Sequence, residues 1–317
     1  MKKIFVTRKL LRENEDKLNE FFDVSLNAND TIYSAAEIIE KSKNCDGILS
    51  SITDPINADT ISKLSDKVKI IANGAVGYGN IDFKKAREKG IAVTNTPEVL
   101  TDATADIQIL LLLGSSRRAY EGRVAAETQS WKWSWDFLLG KQMSNKKLGI
   151  LGMGRIGRAV AKRARGFGME IHYHNRTQLS SDLEEGAIYH KNIKSLFSIS
   201  EFLSINCPAT PETIKIINRE TLSYLPDNTV VGNAARGDIV DDNAMVEALK
   251  SGKVFAYGLD VYNDEPKIHP EYLSLKNIFL LPHLGSATKR TRWDMGFRAT
   301  QNLQDFFQKK KPKDLVN

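Results

Sequence analysis

The sequence predicts an α/β protein built from two doubly wound domains, each with a parallel sheet between layers of helices. The chain has 317 residues, which is enough for two cores of ordinary size. Strand-like and helix-like segments alternate along most of it, as in a parallel sheet whose crossovers are helices. We expect a cleft between a domain formed by residues 1–99 with 285–317 and a domain formed by residues 100–284.

The first hundred residues show this alternation most clearly. Apolar strands are expected at residues 4–7, 47–50, 68–72 and 92–95, and helices at 9–22, 35–43, 56–64 and 83–89. The glycine-rich turn Asn73–Gly79 follows the third of these strands, and open α/β sheets bind ligands at such strand ends. The alternative is an ordinary connection between a strand and a helix.

The rest of the chain predicts a second, larger sheet. A long helical stretch is expected from residue 101 to about residue 128, before an irregular stretch that contains Trp131, Trp133 and Trp135. A helix over 289–307 is amphipathic enough to return onto the first domain. Strands are expected at 148–151, 170–174, 202–206, 229–233, 256–261 and 278–281, and a helix at 243–250 that ends at Gly252.

A glycine triplet within residues 147–177 predicts a dinucleotide site. Gly152, Gly154 and Gly157 follow an apolar strand and open an amphipathic helix, as in Rossmann-type domains. The first glycine permits a tight turn, the second lets backbone N–H groups approach a pyrophosphate, and the third lets the helix pack closely on the strand. The phosphates would lie at the positive end of that helix. Both domains are therefore expected to be Rossmann-like or flavodoxin-like.

The end of the next strand indicates which dinucleotide binds. An NAD site usually has an acidic residue there, which accepts a hydrogen bond from the ribose 2′-hydroxyl. This chain has Asn175, Arg176 and Thr177 instead. Without an acid, nothing repels a 2′-phosphate, and Arg176 can pair with it. We therefore predict NADP(H) as the cofactor, with NAD(H) as the less favoured alternative.

Charge and composition argue against several other classes of function. The net charge of +6 is dispersed, apart from basic runs near 155–176 and 309–313, so we predict no nucleic-acid partner. The longest apolar run, 109–113, is far below the roughly 20 residues that span a bilayer, and we expect no signal peptide. Cys45 and Cys207 form neither a disulfide framework nor a metal-ligand pattern. A cytoplasmic protein without a metal is expected.

Charged residues follow several of the predicted strands, where α/β enzymes place reactive groups. Arg236, Glu265 and His283 together suit the reduction of a carbonyl beside a carboxylate. A guanidinium binds a carboxylate with two hydrogen bonds, and an imidazole can deliver a proton to an oxygen. A neighbouring carboxylate keeps that imidazole charged. Taken alone, His283 would more often be a satisfied core histidine, and Arg236 and Glu265 would pass as surface charges.

In these residues and the motifs around them, the sequence resembles the D-isomer-specific 2-hydroxyacid dehydrogenases, and among them most of all the glyoxylate/hydroxypyruvate reductases. The resemblance covers nearly the whole chain. It implies NADPH-dependent reduction of a small 2-keto acid to the D-2-hydroxy acid. The motifs that carry it are 95–97 with 100–106, 151–157, 233–237, 258–262 with 265–266, and 282–288.

The resemblance also implies roles for individual residues. Arg236 would bind the substrate carboxylate and carbonyl, His283 would be the acid/base, and Glu265 its partner. The backbone of Val76 and Gly77 would hold the substrate carboxylate. Trp133 would reach the substrate site of a neighbouring subunit, which implies a homodimer. The expected cofactor positions are Thr104, Gly152, Gly154, Arg155, Ile156, Gly157, Asn175, Arg176, Thr177, Cys207, Pro208, Thr213, Ala234, Asp260 (near the nicotinamide) and His283.

Some positions depart from the family pattern or separate its branches. Gly79 stands where the family usually has Asp in the carboxylate loop, but binding there is by backbone, so we expect the site to survive. Val76 and Glu265 disfavour the phosphite- and formate-oxidising relatives, which have Lys and Gln there. Two alternatives stay open: a dehydrogenase for a bulkier 2-keto acid, and a non-catalytic NAD(P)-sensing protein like the related corepressors.

Overall fold

The computed structural model describes residues 1–317, which form two compact units. The first comprises Met1–Leu100 with Ala287–Asn317, and the second comprises Thr101–Ser286. Each unit contains one sheet, of five strands in the first and seven in the second, and every strand pairing in both sheets is parallel. The predicted α/β class with two parallel sheets is therefore confirmed.

The helices and strands alternate along the chain. In order they are β1 (Lys3–Val6), α1 (Arg12–Asn19), β2 (Asp23–Ser25), α2 (Ala35–Ser42), β3 (Gly47–Ser50), α3 (Ala58–Lys63), β4 (Ile70–Asn73), α4 (Phe83–Glu88), β5 (Ala92–Thr94), α5 (Thr101–Ser116), α6 (Ala119–Glu127), β6 (Lys147–Leu151), α7 (Arg155–Arg165), β7 (Glu170–His174), α8 (Ser181–Glu184), β8 (Ile188–Tyr189), α9 (Ile193–Phe197), β9 (Phe202–Ile205), α10 (Arg219–Ser223), β10 (Thr229–Asn233), α11 (Asp242–Ser251), β11 (Val254–Leu259), β12 (Ile278–Leu280) and α12 (Lys289–Phe307).

The sheet of the first unit has the strand order β2-β1-β3-β4-β5, which is the flavodoxin-like order. Its strands β3 and β4 are buried along their whole length, because helices cover both faces. The last helix, α12, packs on α1 and β4 through Ala299 and Leu303. A Cβ at Gly296 would lie 2.6 Å from the Asn14 amide carbon, so this glycine lets the two helices approach closely.

Local sequence signals begin several of these helices. Ser34 forms a capping box with Glu37, in which each side chain accepts a backbone N–H of the other residue. The side chains of Asn57, Asp82 and Thr288 each accept the N–H three residues ahead, and so satisfy a donor that the helix leaves free. These caps fix where the helices start.

The sheet of the second unit has the order β12-β11-β10-β9-β6-β7-β8. Apart from its additional edge strand, this is the Rossmann order, and it reverses between β6 and β9. Strands β9 and β10 are completely buried at the centre. A large core on one face is formed with α9, α10 and α11, while α5 and α7 contribute to a second core. The reversal point is where such sheets bind ligands.

The helical stretch predicted over residues 101–128 is present but interrupted. It forms two helices, α5 and α6, with a break between Ser116 and Ala119 that was not predicted. Arg118 is left-handed there, with φ of +54°. The Ser116 carbonyl, which a continuous helix would use internally, accepts the N–H of Lys141 at 2.8 Å. A later segment of the chain therefore ends the helix, and the sequence around the break does not reveal this.

Several short elements were absent from the predictions. They are β2, β8 and the helices α8, α9 and α10, none longer than five residues, so each carries too little periodicity to be recognised. The helix predicted to end at Gly252 does so, with that glycine left-handed at φ of +80°. No helix in the protein is both long enough and apolar enough to cross a membrane.

Buried and exposed leucines on two short helices give a test of this packing. Leu196 on α9 is fully buried in the main core of the second unit, whereas Leu183 on α8 is 39% exposed. We expect Leu196→Ala to lower the free energy of unfolding by about 3 kcal/mol, since it leaves a cavity. Leu183→Ala should change it by less than about 0.5 kcal/mol. Equilibrium denaturation in urea measures both, and equal losses would contradict the assigned packing.

Candidate active site

The turn between β6 and α7 has the geometry of a phosphate-binding loop. Gly152 is left-handed, with φ of +93°, and a Cβ on it would lie 2.6 Å from the backbone nitrogen of Cys207. A side chain is therefore excluded there both by conformation and by space. Gly157 lies directly against the Gly152 carbonyl, so the first turn of α7 packs on the loop.

The middle glycine of this loop faces open space. Gly154 is the N-cap of α7 and offers no side-chain cap, so the first N–H groups of the helix are left for another acceptor. A Cβ on Gly154 would meet no atom within 4 Å. The space and the free N–H groups fit a pyrophosphate, with Arg155 and Ile156 in the first turn of the helix.

The end of β7 is tied to the glycine loop. The Asn175 side chain accepts the N–H of Met153 at 2.7 Å, so this amide fixes the loop itself. Arg176 is exposed and forms no ion pair within the protein. The pKa of Glu212 is lowered, first by the hydroxyl of Thr210 and also by the Arg176 charge, which places Arg176 beside the loop after β9.

That loop and its surroundings contain other residues predicted to bind cofactor. Cys207 is buried against Gly152, and burial raises the pKa of its thiol to about 12, so the thiol is neutral and inert. Thr213 donates to the Pro208 carbonyl at 2.6 Å and so holds the loop closed. Thr104, on α5, donates to the Gly285 carbonyl at 3.1 Å. Thr177 is exposed beside Arg176.

Arg236 follows β10 on a turn that buried amides hold in place. Asn233 is fully buried, and it donates to the Arg236 carbonyl at 2.9 Å and accepts the Ala235 N–H at 3.0 Å. The N–H of Ala234 donates to the buried side chain of Gln108 on α5 at 2.8 Å. The Arg236 guanidinium also donates to the Ala235 carbonyl at 2.6 Å, so the turn is held by two buried amides and by the arginine itself.

Arg236 itself is half-buried near the Glu265 carboxylate. Burial lowers the pKa of its guanidinium, and the charges of Glu265 and Asp238 oppose this. The residue after it, Gly237, lies so close to the backbone of Tyr262 that no side chain would fit. This contact packs the turn after β10 against the turn after β11, which carries Glu265.

Glu265 and His283 form a hydrogen-bonded pair. One carboxylate oxygen of Glu265 lies 2.7 Å from Nδ1 of His283, and the other accepts the Tyr262 N–H at 3.0 Å. Burial alone would raise the pKa of Glu265, but its bonds to His283 and Tyr262 and the charge of Arg236 hold that pKa below its ordinary value. Glu265 is therefore a carboxylate at neutral pH. Because Nδ1 is engaged, Nε2 is the His283 atom left for a substrate.

His283 lies in a strained turn that Asp260 fixes. Its φ of +56° is left-handed, which is uncommon for a residue with a side chain. Asp260 is 1% exposed, and its two oxygens accept the N–H groups of Leu284 at 2.6 Å and Gly285 at 2.8 Å. Burial raises the pKa of Asp260, and these two bonds oppose that rise. The predicted contact of Asp260 with the nicotinamide stays a prediction, since both oxygens already serve the main chain.

The remaining predicted residues lie elsewhere. Val76 and Gly77 are in the loop after β4 of the first unit, and neither N–H donates to another group of the protein. Trp133 is 68% exposed, in the irregular segment after α6. No cluster of His, Cys, Asp and Glu is arranged to hold a metal ion. The structure thus groups Arg236, Glu265 and His283 at one edge of the larger sheet.

Two positioning residues of this site carried no predicted role. Asn233 lies inside a completely buried strand, and Gln108 lies within the apolar run of α5. A polar side chain at a core position is the signal that could have indicated them, because a buried amide needs a specific partner. The partner itself, however, comes from a distant segment that the sequence does not identify.

Comparison with known proteins identifies the family. A family model described as the NAD binding domain of the D-isomer specific 2-hydroxyacid dehydrogenases matches residues 109–285, more than half of the chain. The chain belongs to the D-isomer-specific 2-hydroxyacid dehydrogenase family. It is therefore an oxidoreductase that uses a nicotinamide dinucleotide, and the resemblance inferred from the sequence is confirmed.

Relatives of this dehydrogenase match it over nearly their full lengths. A glycerate dehydrogenase of Hyphomicrobium methylovorum is 39% identical over 96% of this chain and 96% of its own. A glyoxylate reductase of Thermococcus litoralis is 38% identical over 99% of this chain and 96% of its own. The solved NADPH-dependent glyoxylate/hydroxypyruvate reductase of Sinorhizobium meliloti, in complex with NADP and malonate, is 31% identical, covers 99% of this chain and 96% of its own, and superposes with a TM-score of 0.88.

The glycine loop of this dehydrogenase can be tested by two matched substitutions. Gly152→Ala adds a Cβ to a left-handed residue and forces it onto Cys207, so we expect a stability loss of about 2 kcal/mol or more. Gly154→Ala meets no protein atom, so the melting temperature should stay nearly unchanged while the Kd for the dinucleotide rises by at least about tenfold. Thermal unfolding and fluorescence titration measure the two effects. Unchanged cofactor affinity in Gly154→Ala would contradict the assigned phosphate position.

Proposed function

We propose that this dehydrogenase reduces a small 2-keto acid with NADPH, either glyoxylate to glycolate, which has no stereocentre, or hydroxypyruvate to the D-2-hydroxy acid D-glycerate. The observation that carries the proposal is the hydrogen-bonded pair of Glu265 and His283 beside Arg236, in the unit that also contains the glycine loop. Relatives named glyoxylate reductase and glycerate dehydrogenase, which share most of their length with this chain, support the substrate class.

The proposed chemistry assigns one task to each side chain. When bound, the reduced nicotinamide supplies the hydride to the carbonyl carbon. Arg236 fixes and polarises the substrate through its guanidinium, which matches a carboxylate and a carbonyl oxygen. His283 donates a proton from Nε2 to the developing alkoxide, since Nδ1 is engaged by Glu265. The Glu265 carboxylate stabilises the charged imidazole before the transfer. The reverse oxidation needs neutral His283.

The substrate carboxylate is proposed to bind the backbone N–H groups of Val76 and Gly77. Neither N–H is used within the protein, and the loop that contains them is partly exposed. Backbone N–H groups in series bind anions without adding a mobile charge. A Cβ at Gly79, where the family usually has Asp, would meet no atom within 4 Å, so the difference there leaves the loop undisturbed.

NADPH is proposed as the preferred cofactor because of Arg176. This side chain is exposed, has no carboxylate partner in an ion pair, and follows the end of β7, where the ribose of the cofactor is expected. No acidic residue stands at this position. The relative from Sinorhizobium meliloti, described as NADPH-dependent, was solved with NADP bound, which supports the same choice.

A cytoplasmic homodimer is the proposed assembly. Trp131, Trp133 and Trp135 are each more than half exposed, and Leu139 after them is 62% exposed. Exposed apolar side chains concentrated in one segment are typical of a protein interface. In the dimer, Trp133 is proposed to reach the substrate site of the second copy.

The proposed acid/base role of His283 is tested by substitution. We expect His283→Ala to lower kcat for glyoxylate by about 100-fold or more, with NADPH binding retained, because only the proton donor is lost. His269→Ala, which removes a histidine outside the site, is the control. Loss of NADPH absorbance on addition of glyoxylate measures the rate. Near wild-type turnover in His283→Ala would exclude the assigned role, and no turnover by the wild type with any 2-keto acid would favour a non-catalytic sensor.

Glu265→Gln removes the negative charge of that residue and nearly keeps its shape. The amide can still accept the Tyr262 N–H, but it no longer stabilises a charged imidazole. We expect kcat for glyoxylate reduction to fall by about tenfold or more while the Kd of NADPH stays within about twofold of wild type, because the imidazole loses the carboxylate that orients it and supports its positive charge. An unchanged kcat in Glu265→Gln would show that the charge of Glu265 does not assist the proton donor.

The cofactor preference is tested by Arg176→Ala. The wild type is expected to have the higher kcat/KM with NADPH, and the variant to lose about tenfold or more with NADPH while its kcat/KM with NADH changes little. Arg165→Ala, which removes an arginine paired with Glu185 at the far end of α7, is the matched control. A wild-type preference for NADH would contradict the proposal.

A further inference from the structure

Three successive peptide carbonyls in the loop after β4 are each held by a hydrogen bond. The donors lie at the ends of the two neighbouring strands, β4 and β5. The bonds are Thr96 N–H to Ala75 O (3.0 Å), Asn95 Nδ2 to Val76 O (2.8 Å) and Asn73 Nδ2 to Gly77 O (2.8 Å).

A hydrogen bond that fixes a peptide carbonyl also fixes the direction of the N–H in the same peptide. In a planar trans peptide the C=O and the following N–H point in opposite directions. The N–H groups of Val76, Gly77 and Tyr78 therefore point away from the groups that hold the three carbonyls. None of the three N–H groups donates to another group of the protein. The loop thus presents three consecutive donors without internal acceptors, an arrangement that suits an anion.

Asn73 is fully buried at the end of β4. It is the last residue of β4, it is 0% exposed, and its Oδ1 lies 3.4 Å from the hydroxyl of Ser50 at the end of β3. Burying a primary amide is unfavourable unless its donors and acceptors are paired. The Gly77 carbonyl at 2.8 Å is the closest partner of the Asn73 amide nitrogen.

Asn95 is anchored from the last helix and the C-terminal segment. Its carbonyl accepts the side chain of Asn302 on α12 at 3.1 Å, and its N–H donates to the Asp314 carbonyl at 3.2 Å. Asp314 in turn is paired with Arg298 at 2.5 Å. The main chain of Asn95 is therefore fixed, while its side chain donates to the Val76 carbonyl.

We propose that Asn73 and Asn95 are positioning residues that preorganise the loop for the substrate carboxylate, an inference that rests on the proposed function. Neither side chain would touch the substrate. Each would fix a peptide so that its N–H already points outward before the anion arrives. Donors fixed in advance bind an anion more strongly than donors that must first reorient, because no free energy is lost in reorganising the loop at binding.

The test compares an acid with its neutral ester. Glyoxylate gains charge-assisted hydrogen bonds from the loop, and methyl glyoxylate gains much less. Asn95→Ala and Asn73→Ser are expected to lower the ratio of kcat/KM for acid over ester by about tenfold, with the ester rate and the Kd of NADPH within about twofold of wild type. Asn95→Leu, similar in shape and neutral but without the donor, serves if the alanine variant is poorly folded.

Asn80→Ala is the matched control. Asn80 lies in the same loop region and its amide also makes two bonds to carbonyls, those of Ser51 at 2.9 Å and Asp54 at 3.1 Å, but none to the three held peptides. It should lose similar stability with an unchanged acid-to-ester ratio. If kcat/KM fell equally for the acid and the ester in the Asn73 and Asn95 variants, both residues would have only a structural role. That result would overturn the proposal.

Failure of the proposed function would be recognised separately. If the wild type reduces neither glyoxylate nor the ester, the proposed reaction fails, and the loop is then tested by calorimetric titration with oxalate. A weaker Kd for oxalate in Asn95→Ala than in wild type and Asn80→Ala supports the positioning role. An equal Kd in all three proteins, or no binding of oxalate to the wild type, overturns it.

Discussion

The two hydrogen bonds from Leu284 and Gly285 to the buried carboxylate of Asp260 hold the turn on which the proposed chemistry depends. They connect the segment after β12 to the end of β11 and keep His283 in a left-handed conformation. A non-glycine residue in that conformation costs about 1–3 kcal/mol, and it persists only where the surroundings determine it. With the turn fixed, Nδ1 of His283 lies against Glu265 and Nε2 is left for a substrate.

The same physical device recurs at each functional loop of the protein. Asn233 holds the turn of Arg236, Asn175 holds the glycine loop, and Asn73 holds the loop after β4. In every case a polar side chain at or just after the end of a strand bonds to the main chain of a loop at the same edge of its sheet. A rigid sheet edge thus sets loop conformations, and the side chains or N–H groups that would meet a ligand stay free. Short amide and carboxylate groups suit this task because they lose little conformational freedom on ordering.

Much of this arrangement could be predicted from the sequence, because the residues that produce each signal lie close together in the chain. Buried parallel strands are short apolar runs, so β3 and β10 were predicted with the bounds that the structure has. The glycine triplet was recognisable because each glycine meets a steric requirement within a few residues. His283 and Arg236 could be identified because they follow strands, where a core would not place a charge.

What could not be predicted depends on partners far apart in the chain. The break between α5 and α6 is set by Lys141, and the strands β2 and β8 exist because neighbouring strands offer edges to pair with. Gln108 is flanked by apolar residues of α5, and its partner, the N–H of Ala234, lies far away in the chain. The role of Asp260 changed most, since the structure uses both of its oxygens to hold the His283 turn.

The configuration of the product shows directly whether Arg236 and His283 bind the substrate in one fixed orientation. Hydroxypyruvate would be reduced with NADPH by the wild-type protein, and the glycerate formed would be resolved by chiral chromatography. A site with one proton donor and one guanidinium on a fixed sheet edge should present a single face of the carbonyl to the nicotinamide, so a single enantiomer is expected. Because the chain belongs to the D-isomer-specific family, that enantiomer should be D-glycerate. Formation of L-glycerate or of a racemic mixture, or no reduction of hydroxypyruvate or glyoxylate at all, would contradict the proposed reaction.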